Sequence, residues 1–319
     1  MGYASLVRNF KDKRILVVGD LILDRYIWGR VERISPEAPV PVVEVTHEDY
    51  MLGGASNVAS NIVSLGGRAT IVGVVGKDPE ADILRRLLRE KHIDANLFED
   101  KRPTTLKARV IAHSQQVVRF DFEKTDRLTK RAEAKIIEFL KDAIPEHDAI
   151  IISDYKKGVV SGRLIREILG ITKGRKFVSL DPKVGHFRLY KGVSLITPNK
   201  TEAQDGSGIK ITDRESLIRA GRTLLRKLNC RAVLITLGEK GMCLFEKSKE
   251  TEIPTFAKKV FDVSGAGDTV IATFTLAHSA GASLVESAII ANHAAGIVVA
   301  QVGTATVTPE ELLNSFRTA

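Results

Sequence analysis

The chain is 319 residues long, 44% hydrophobic and 27% charged. That is the profile of an ordinary globular protein with room for a large core, as one big α/β domain or two smaller ones. Net charge is +9, but the cations sit in mixed-sign stretches such as EKTDRLTKRAEAK with few aromatics among them, which argues against a nucleic-acid face and for a field that draws small phosphorylated anions. The two cysteines, Cys230 and Cys243, give no disulfide framework and suit a reducing compartment.

The N-terminal stretch MGYASLVRNFKDKRILVVGD has no apolar signal core or cleavage site, so a cytoplasmic protein is expected. Within it, RILVVGD is a β-rich apolar run ending at Gly19-Asp20, as buried parallel strands do. PVPVVEVTHE then alternates like a half-exposed antiparallel strand. SNVASNIVSLGG reads as a helix closed by glycine, RATIVGVVG as a strand, and DPEADILRRLLREKHI as an amphipathic helix with aspartate at its start. TTLKARVIAHSQQVVRFDFE alternates again and folds back on itself around Ser114-Gln115. Strands DAIIISD, KFVSLD, VSLITPN and RAVLITLG follow, separated by helical patterns.

Strands alternating with helices predict a doubly wound parallel sheet. Several strands stop at Asp20, Asp154, Asp181 and Asn199, and ligands of open α/β sheets sit beyond strand carboxyl ends, so these residues should line one crevice. The two alternating segments should form a small projecting sheet that packs on a partner chain or a bound substrate. The uncharged span from Ser287 to Pro309 contains Asn292, His293, Gln301 and Gly303, and reads as a buried helix followed by a loop rather than a membrane span.

Three glycine-rich turns could handle phosphate: LGGASN, TLGEKG and SGAGD. The last opens an apolar helix, whose first N–H groups and dipole suit an anion. Asp268 is the odd member there, because a carboxylate repels phosphate unless it has chemical work to do. The pattern G-x-G-x-x-G is absent after the first strand and no Walker loop occurs, so neither a dinucleotide site nor a P-loop is supported.

With these motifs in this order the chain resembles the ribokinase-like (PfkB) family of sugar kinases over nearly its whole length. The family's first signature matches Gly53, Gly54 and Asn57; its N-x-x-E matches Asn199 and Glu202. Its T-x-G-x-x-G matches Thr236, Gly238 and Gly241, and its second signature matches DVSGAGDT, from Asp262 to Thr269, with Ser264 where threonine is commoner. The resemblance implies a doubly wound, mostly parallel sheet with helices on both faces and a small projecting β lid. It implies one kinase domain over residues 1–319, with lid segments near 38–48 and 103–123. Asp268 would be the catalytic base, with the N–H groups of Gly265, Ala266 and Gly267 as the anion hole. ATP would lie against Asn199, Glu202, Thr236, Gly238, Gly241 and Asn292, with Glu202 acting on Mg²⁺ through water. On spacing alone Asn292 is equally a satisfied buried amide. Dependence on a monovalent cation stays open.

The N-terminal stretch VGDLILDRYIWGRVERISPEAPVPVVEV, with SDYKKG, DPK and GAGDTV further on, resembles the D-glycero-D-manno-heptose 7-phosphate kinases of lipopolysaccharide core precursor synthesis. By that resemblance Asp20, Asp24, Gly53, Gly54, Asn57 and Asp154 bind the sugar, and Arg109, Arg119, Lys157 and Lys183 are candidates for its own phosphate. The implied reaction moves phosphate from ATP to the anomeric hydroxyl, giving the 1,7-bisphosphate. Another sugar or sugar-phosphate kinase of the same family, and a non-catalytic nucleotide- or sugar-binding regulator, remain alternatives. Such kinases are often fused to a nucleotidyltransferase carrying H-x-G-H; none of the seven histidines makes that motif, so that domain is not expected. A homodimer through the lid is expected, with no nucleic-acid or membrane partner.

Overall fold

Ile15 and Val17 of the first strand pack into one hydrophobic core, while Leu16 and Val18 pack into a second. A run of apolar residues with no polar face is stable only between two layers, and here helices cover both sides. The structure, a computed structural model, describes residues 2–113, 115–257, 260–301, 303 and 305–317.

Helix α1 (Tyr3–Arg8) precedes that strand, β1 (Arg14–Gly19). β2 (Leu21–Ile34) starts one residue later, and β3 (Pro41–Gly54) runs straight into α2 (Ala55–Ser64). β4 (Arg68–Val75), α3 (Pro79–Glu90) and β5 (Asp94–Glu99) follow, then the hairpin β6 (Leu106–Ala112) and β7 (Gln115–Phe122), then α4 (Lys130–Ala143). Next come β8 (Ala149–Ser153), α5 (Gly162–Thr172), β9 (Phe177–Asp181) and β10 (Leu195–Ile196). The remainder is α6 (Lys200–Ser207), α7 (Arg214–Leu228), β11 (Ala232–Thr236), β12 (Met242–Glu246), β13 (Glu250–Ile253), α8 (Ala266–Ser279), α9 (Leu284–Val298) and α10 (Pro309–Ser315).

The main sheet has nine strands in the order β13-β12-β11-β10-β9-β8-β1-β4-β5. Its neighbours are parallel from β11 to β5, while β12 and β13 run antiparallel. α1 to α3 and α8 to α10 bury their apolar residues in one core, and α4 to α7 in the other. This is the doubly wound, mostly parallel sheet that the alternation predicts. Three of its strands are additions, since neither β5 nor the β12–β13 hairpin was anticipated. VSLITPN contributes only two strand residues, because Pro198 offers no N–H to extend the ladder.

The second sheet has the order β3-β2-β6-β7. β2 pairs antiparallel with β3 and parallel with β6, and β6 pairs antiparallel with β7. The expected lid segments therefore form strands, and β2, which the sequence reading left unassigned, lies between them. Ser114, where that reading placed the fold-back, lies outside the described residues. β7 is exposed at every residue. Among the described residues no helix is long and apolar enough to cross a membrane; the first part of the uncharged span from Ser287, as far as Val298, belongs to α9.

Candidate active site

α8 begins with no side-chain cap, because its N-cap is Gly265 in the left-handed region at φ 77°. The Ala266 N–H turns back to Val263 O at 3.2 Å, while those of Gly265 and Gly267 take no backbone partner among the described residues. The first turn therefore presents donors to the space in front of it, as an anion hole requires.

Asp268 stands one turn in, buried at 3% exposure. Asn57 Nδ2 donates to its Oδ2 at 2.8 Å, and the Tyr155 hydroxyl donates to its Oδ1 at 2.8 Å. Asn57 is itself held: Asn61 Nδ2 donates to Asn57 O at 2.9 Å, and Asn61 Oδ1 accepts from Thr269 Oγ1 at 2.9 Å. Burial raises the Asp268 pKa to about 6; the Asn57 and Tyr155 hydrogen bonds oppose that rise, Asp24 adds to it and Lys107 opposes it. A carboxylate in that range is ionised at neutral pH and still basic enough to take a proton.

Gly53 and Gly54 lie where β3 passes close to β2. A Cβ on Gly53 would stand 2.1 Å from Asp24 Oδ2, so the glycine makes room for that carboxylate. Asp24 is buried and pairs with Arg109 Nη1 at 2.6 Å. The Arg109 guanidinium lies 5.3 Å from the centre of the Tyr26 ring.

Two expected sugar ligands are corrected. Asp20 faces the fold rather than the cavity. Its carboxylate accepts the backbone N–H groups of Tyr155 at 2.9 Å, Lys157 at 3.0 Å and Val159 at 3.0 Å. Burial chiefly raises its pKa to about 6, with the Asp154 charge adding to it. Asp154 is likewise engaged: it accepts from Tyr190 Oη at 2.7 Å, His186 Nδ1 at 2.8 Å and the Lys156 N–H at 2.7 Å. Both aspartates fix the loops that surround the site. Asp181 remains among the inner groups, where burial and the Asp268 and Glu202 charges push its pKa well above the carboxylate range.

On the other side of α8 lies a cavity of about 820 Å³, bordered by Asn199, Thr236, Gly238, Gly241, Gly267 and Asn292. Val260, Val263, Val270 and Val299 give it an apolar wall. Its size and its mixture of apolar wall and convergent polar groups suit a nucleotide. Asn292 borders it with its Nδ2 donated to Pro254 O at 2.7 Å. Asn199 and Glu202 form a capping box on α6, leaving Glu202 Oε1 facing Lys183 Nζ at 3.8 Å. Burial raises the Glu202 pKa. No group of three or more His, Cys, Asp or Glu side chains able to hold a metal occurs among the described residues. A cation held largely by water and phosphate oxygens would ask only Glu202 of the protein.

The expected phosphate cations all lie near this centre, each beside a carboxylate. Arg109 holds Asp24, Lys157 lies 2.5 Å from Glu123, and Arg119 grips Asp121 through two hydrogen bonds of 2.8 and 2.6 Å. Lys157 and Lys183 also border a second cleft of about 740 Å³ with Tyr155, Lys156, Arg127 and His186. Sequence reasoning missed Tyr155, Lys107, Asn61 and Thr269. Lys107 shows no ion pair among the described residues, and burial lowers its pKa. Tyr155 follows directly on a strand end, which was the available signal.

A family model described as pfkB family carbohydrate kinase matches residues 12–311. Among curated proteins the chain is 46% identical over 316 residues to the bifunctional protein HldE of Geobacter metallireducens, covering 98% of this chain and 64% of that protein. Against HldE of Geobacter sulfurreducens it is 45% identical over 305 residues, covering 94% and 62%. The chain thus spans less than two thirds of the length of these relatives. Among solved structures, Escherichia coli phosphofructokinase-2 in complex with potassium superposes with a TM-score of 0.80 at 18% identity, covering 96% of this chain and 99% of that one. Arabidopsis thaliana ribokinase complexed with ribose and ATP gives a TM-score of 0.76 at 19% identity, with the same coverage. At such identities these structures share the fold.

Proposed function

This chain belongs to the pfkB family of carbohydrate kinases, and on that premise we propose that it transfers the γ-phosphoryl group of ATP to the anomeric hydroxyl of D-glycero-D-manno-heptose 7-phosphate, giving the 1,7-bisphosphate. The observation that carries the reading is Asp268: a buried carboxylate with both oxygens held, one turn inside an uncapped helix that borders a nucleotide-sized cavity. The heptose assignment rests on the N-terminal resemblance and on the HldE relatives, which match at 45–46% identity.

ATP in the cavity of about 820 Å³ would supply the phosphoryl group; Glu202 is the residue that would hold a Mg²⁺ ion, through water, and the ion would offset phosphate charge. Asp268 accepts the proton of the sugar hydroxyl as its oxygen turns nucleophile. The N–H groups of Gly265 and Gly267 face the charge that gathers in transfer, while that of Ala266, expected to join them, is turned to Val263 O. Asn57 and Asp24 offer an amide and a carboxylate to sugar hydroxyls. Lys157, Lys183, Arg109 and Arg119 hold the acceptor's own phosphate, with the cleft of about 740 Å³ as its entrance.

The reading places the protein in the cytoplasm, as a homodimer joined through the lid. Val117, Val118, Phe120 and Phe122 are exposed along β7, an open edge with an apolar face, which supports that joining.

The deciding experiment is ADP release across a panel of heptose 7-phosphate, free heptose, fructose 6-phosphate, fructose and ribose. Heptose 7-phosphate is expected to lead in kcat/KM. A higher value for ribose or free fructose would overturn the heptose assignment and leave the kinase reading in place.

A further inference from the structure

Tyr155 reaches the base from outside every glycine-rich motif. Its hydroxyl and the Asn57 amide each take one lone pair of a different Asp268 oxygen, which leaves one on each oxygen for a substrate proton. The phenol is itself fixed as a donor, because burial and then the carboxylates of Asp268, Asp181 and Asp24 push its pKa well above the ordinary value.

The loop that presents Tyr155 is tied down at several points. Three of its N–H groups converge on the Asp20 carboxylate. Arg102, from the connection before the β6–β7 hairpin, donates to Lys157 O at 2.6 Å. Between them Lys156 sits in the left-handed region at φ 58°, a conformation that costs a residue carrying a Cβ and persists only when its surroundings impose it. The ring is flanked by cations, with Lys107 Nζ 5.5 Å and Lys183 Nζ 5.6 Å from its centre.

We infer that Tyr155 is a positioning residue for phosphoryl transfer: it aims the Asp268 carboxylate at the acceptor hydroxyl and favours its ionised form, and Asp20 acts through it by fixing its loop. The inference rests on Asp268 being the base. Tyr155 keeps its proton throughout; the proton that moves passes from the sugar oxygen to Asp268. The groups facing the pair are Asp24 from β2, Asn57 from α2, Lys107 from β6, Asp181 from β9 and Lys183 just beyond it, so the phenol is one donor in a mixed field.

Tyr155→Phe keeps the ring between its lysines and removes only the hydroxyl. Losing a donor to a carboxylate raises its pKa, so the acidic limb of kcat/KM for the phosphosugar should move up by about one pH unit. Below the limb the rate should fall about tenfold, and well above it less than about threefold, with KM for ATP unchanged. A purely structural role would instead lower activity equally at all pH values. The ¹³C titration of the Asp268 carboxyl, assigned by its loss in Asp268→Asn, should move in the same direction without any sugar present. Asp20→Asn, with fewer acceptors for the loop, should reproduce the displacement; where it does not fold, Tyr155→Phe decides alone. An unmoved titration and an unmoved limb overturn the inference. A displaced titration in a protein that turns over no sugar overturns the kinase reading alone.

Discussion

Asp24 and Arg109 form a partly enclosed ion pair across β2 and β6, with 2.6 Å between Oδ1 and Nη1 and side-chain exposures of 8% and 18%. Removing one partner of such a pair strands the other charge in low dielectric, which costs more than the pair contributes. Arg109→Ala should therefore destabilise the fold by about 2–4 kcal/mol, while Arg109→Ala with Asp24→Asn should recover part of that loss. Urea midpoints of the two single variants and the double variant measure it. Additive losses would show that the two charges do not depend on each other.

Asp268→Asn removes the proton acceptor and leaves the cavity wall intact. Its kcat should fall by roughly 10²–10⁴-fold, with nucleotide affinity close to wild type. Turnover within a few-fold of wild type would require another base.

The same carboxylate has a consequence for stability. Its folded pKa of about 6 lies above the ordinary 3.8, so between those values the folded state binds more protons than the unfolded one. Stability from this group is then present at low pH and lost as pH rises through about 6. The stability of Asp268→Asn relative to wild type should accordingly increase from pH about 4 to about 6 and level off beyond. Chemical denaturation at several pH values gives the curve, and a flat difference would contradict the raised pKa.

Lys157 stands 2.5 Å from Glu123 at the mouth of the basic cleft. Lys157→Ala should reduce the preference for a phosphorylated over a free sugar by roughly 10-fold or more, with little change in KM for ATP. Unchanged selectivity would move the phosphate contact to Arg119.

Phe120 and Phe122 meet edge to face on the exposed β7, with ring centres 5.8 Å apart. Phe122→Glu places a charge on that face and should convert a dimer to a monomer in light scattering at micromolar concentration, with the fold intact by circular dichroism. A wild-type monomer in the same measurement would remove the lid interface.

The parallel sheet was legible because β1 and β8 are unbroken apolar runs that divide between two cores. β2 was not, since only Asp20 separates it from β1, too short a break to mark a change of sheet. The β12–β13 hairpin is two short strands of ordinary composition, which carry little periodic signal. Asp268 and its glycines form a local pattern and could be read directly. Tyr155 and Asp20 could not, because their partners lie 113 and at least 135 residues away, and three of those partners are backbone N–H groups that no side-chain pattern encodes.

The root of the lid has no slack. β2 leaves the core sheet at Leu21, β3 re-enters it at Gly54, and the Ala55 N–H closes the gap to Asp20 O at 3.0 Å. A swing of the lid about that root would separate two demands by leverage. At roughly 3.3 Å per residue, Asp24 sits about 13 Å from the pivot and the tip at Ile34 about 45 Å. A rotation that carries the tip several ångströms displaces the Asp24 carboxylate less than a third as far. Rotation about that root would thus move the outer end of the lid at least three times as far as the carboxylate beside the base.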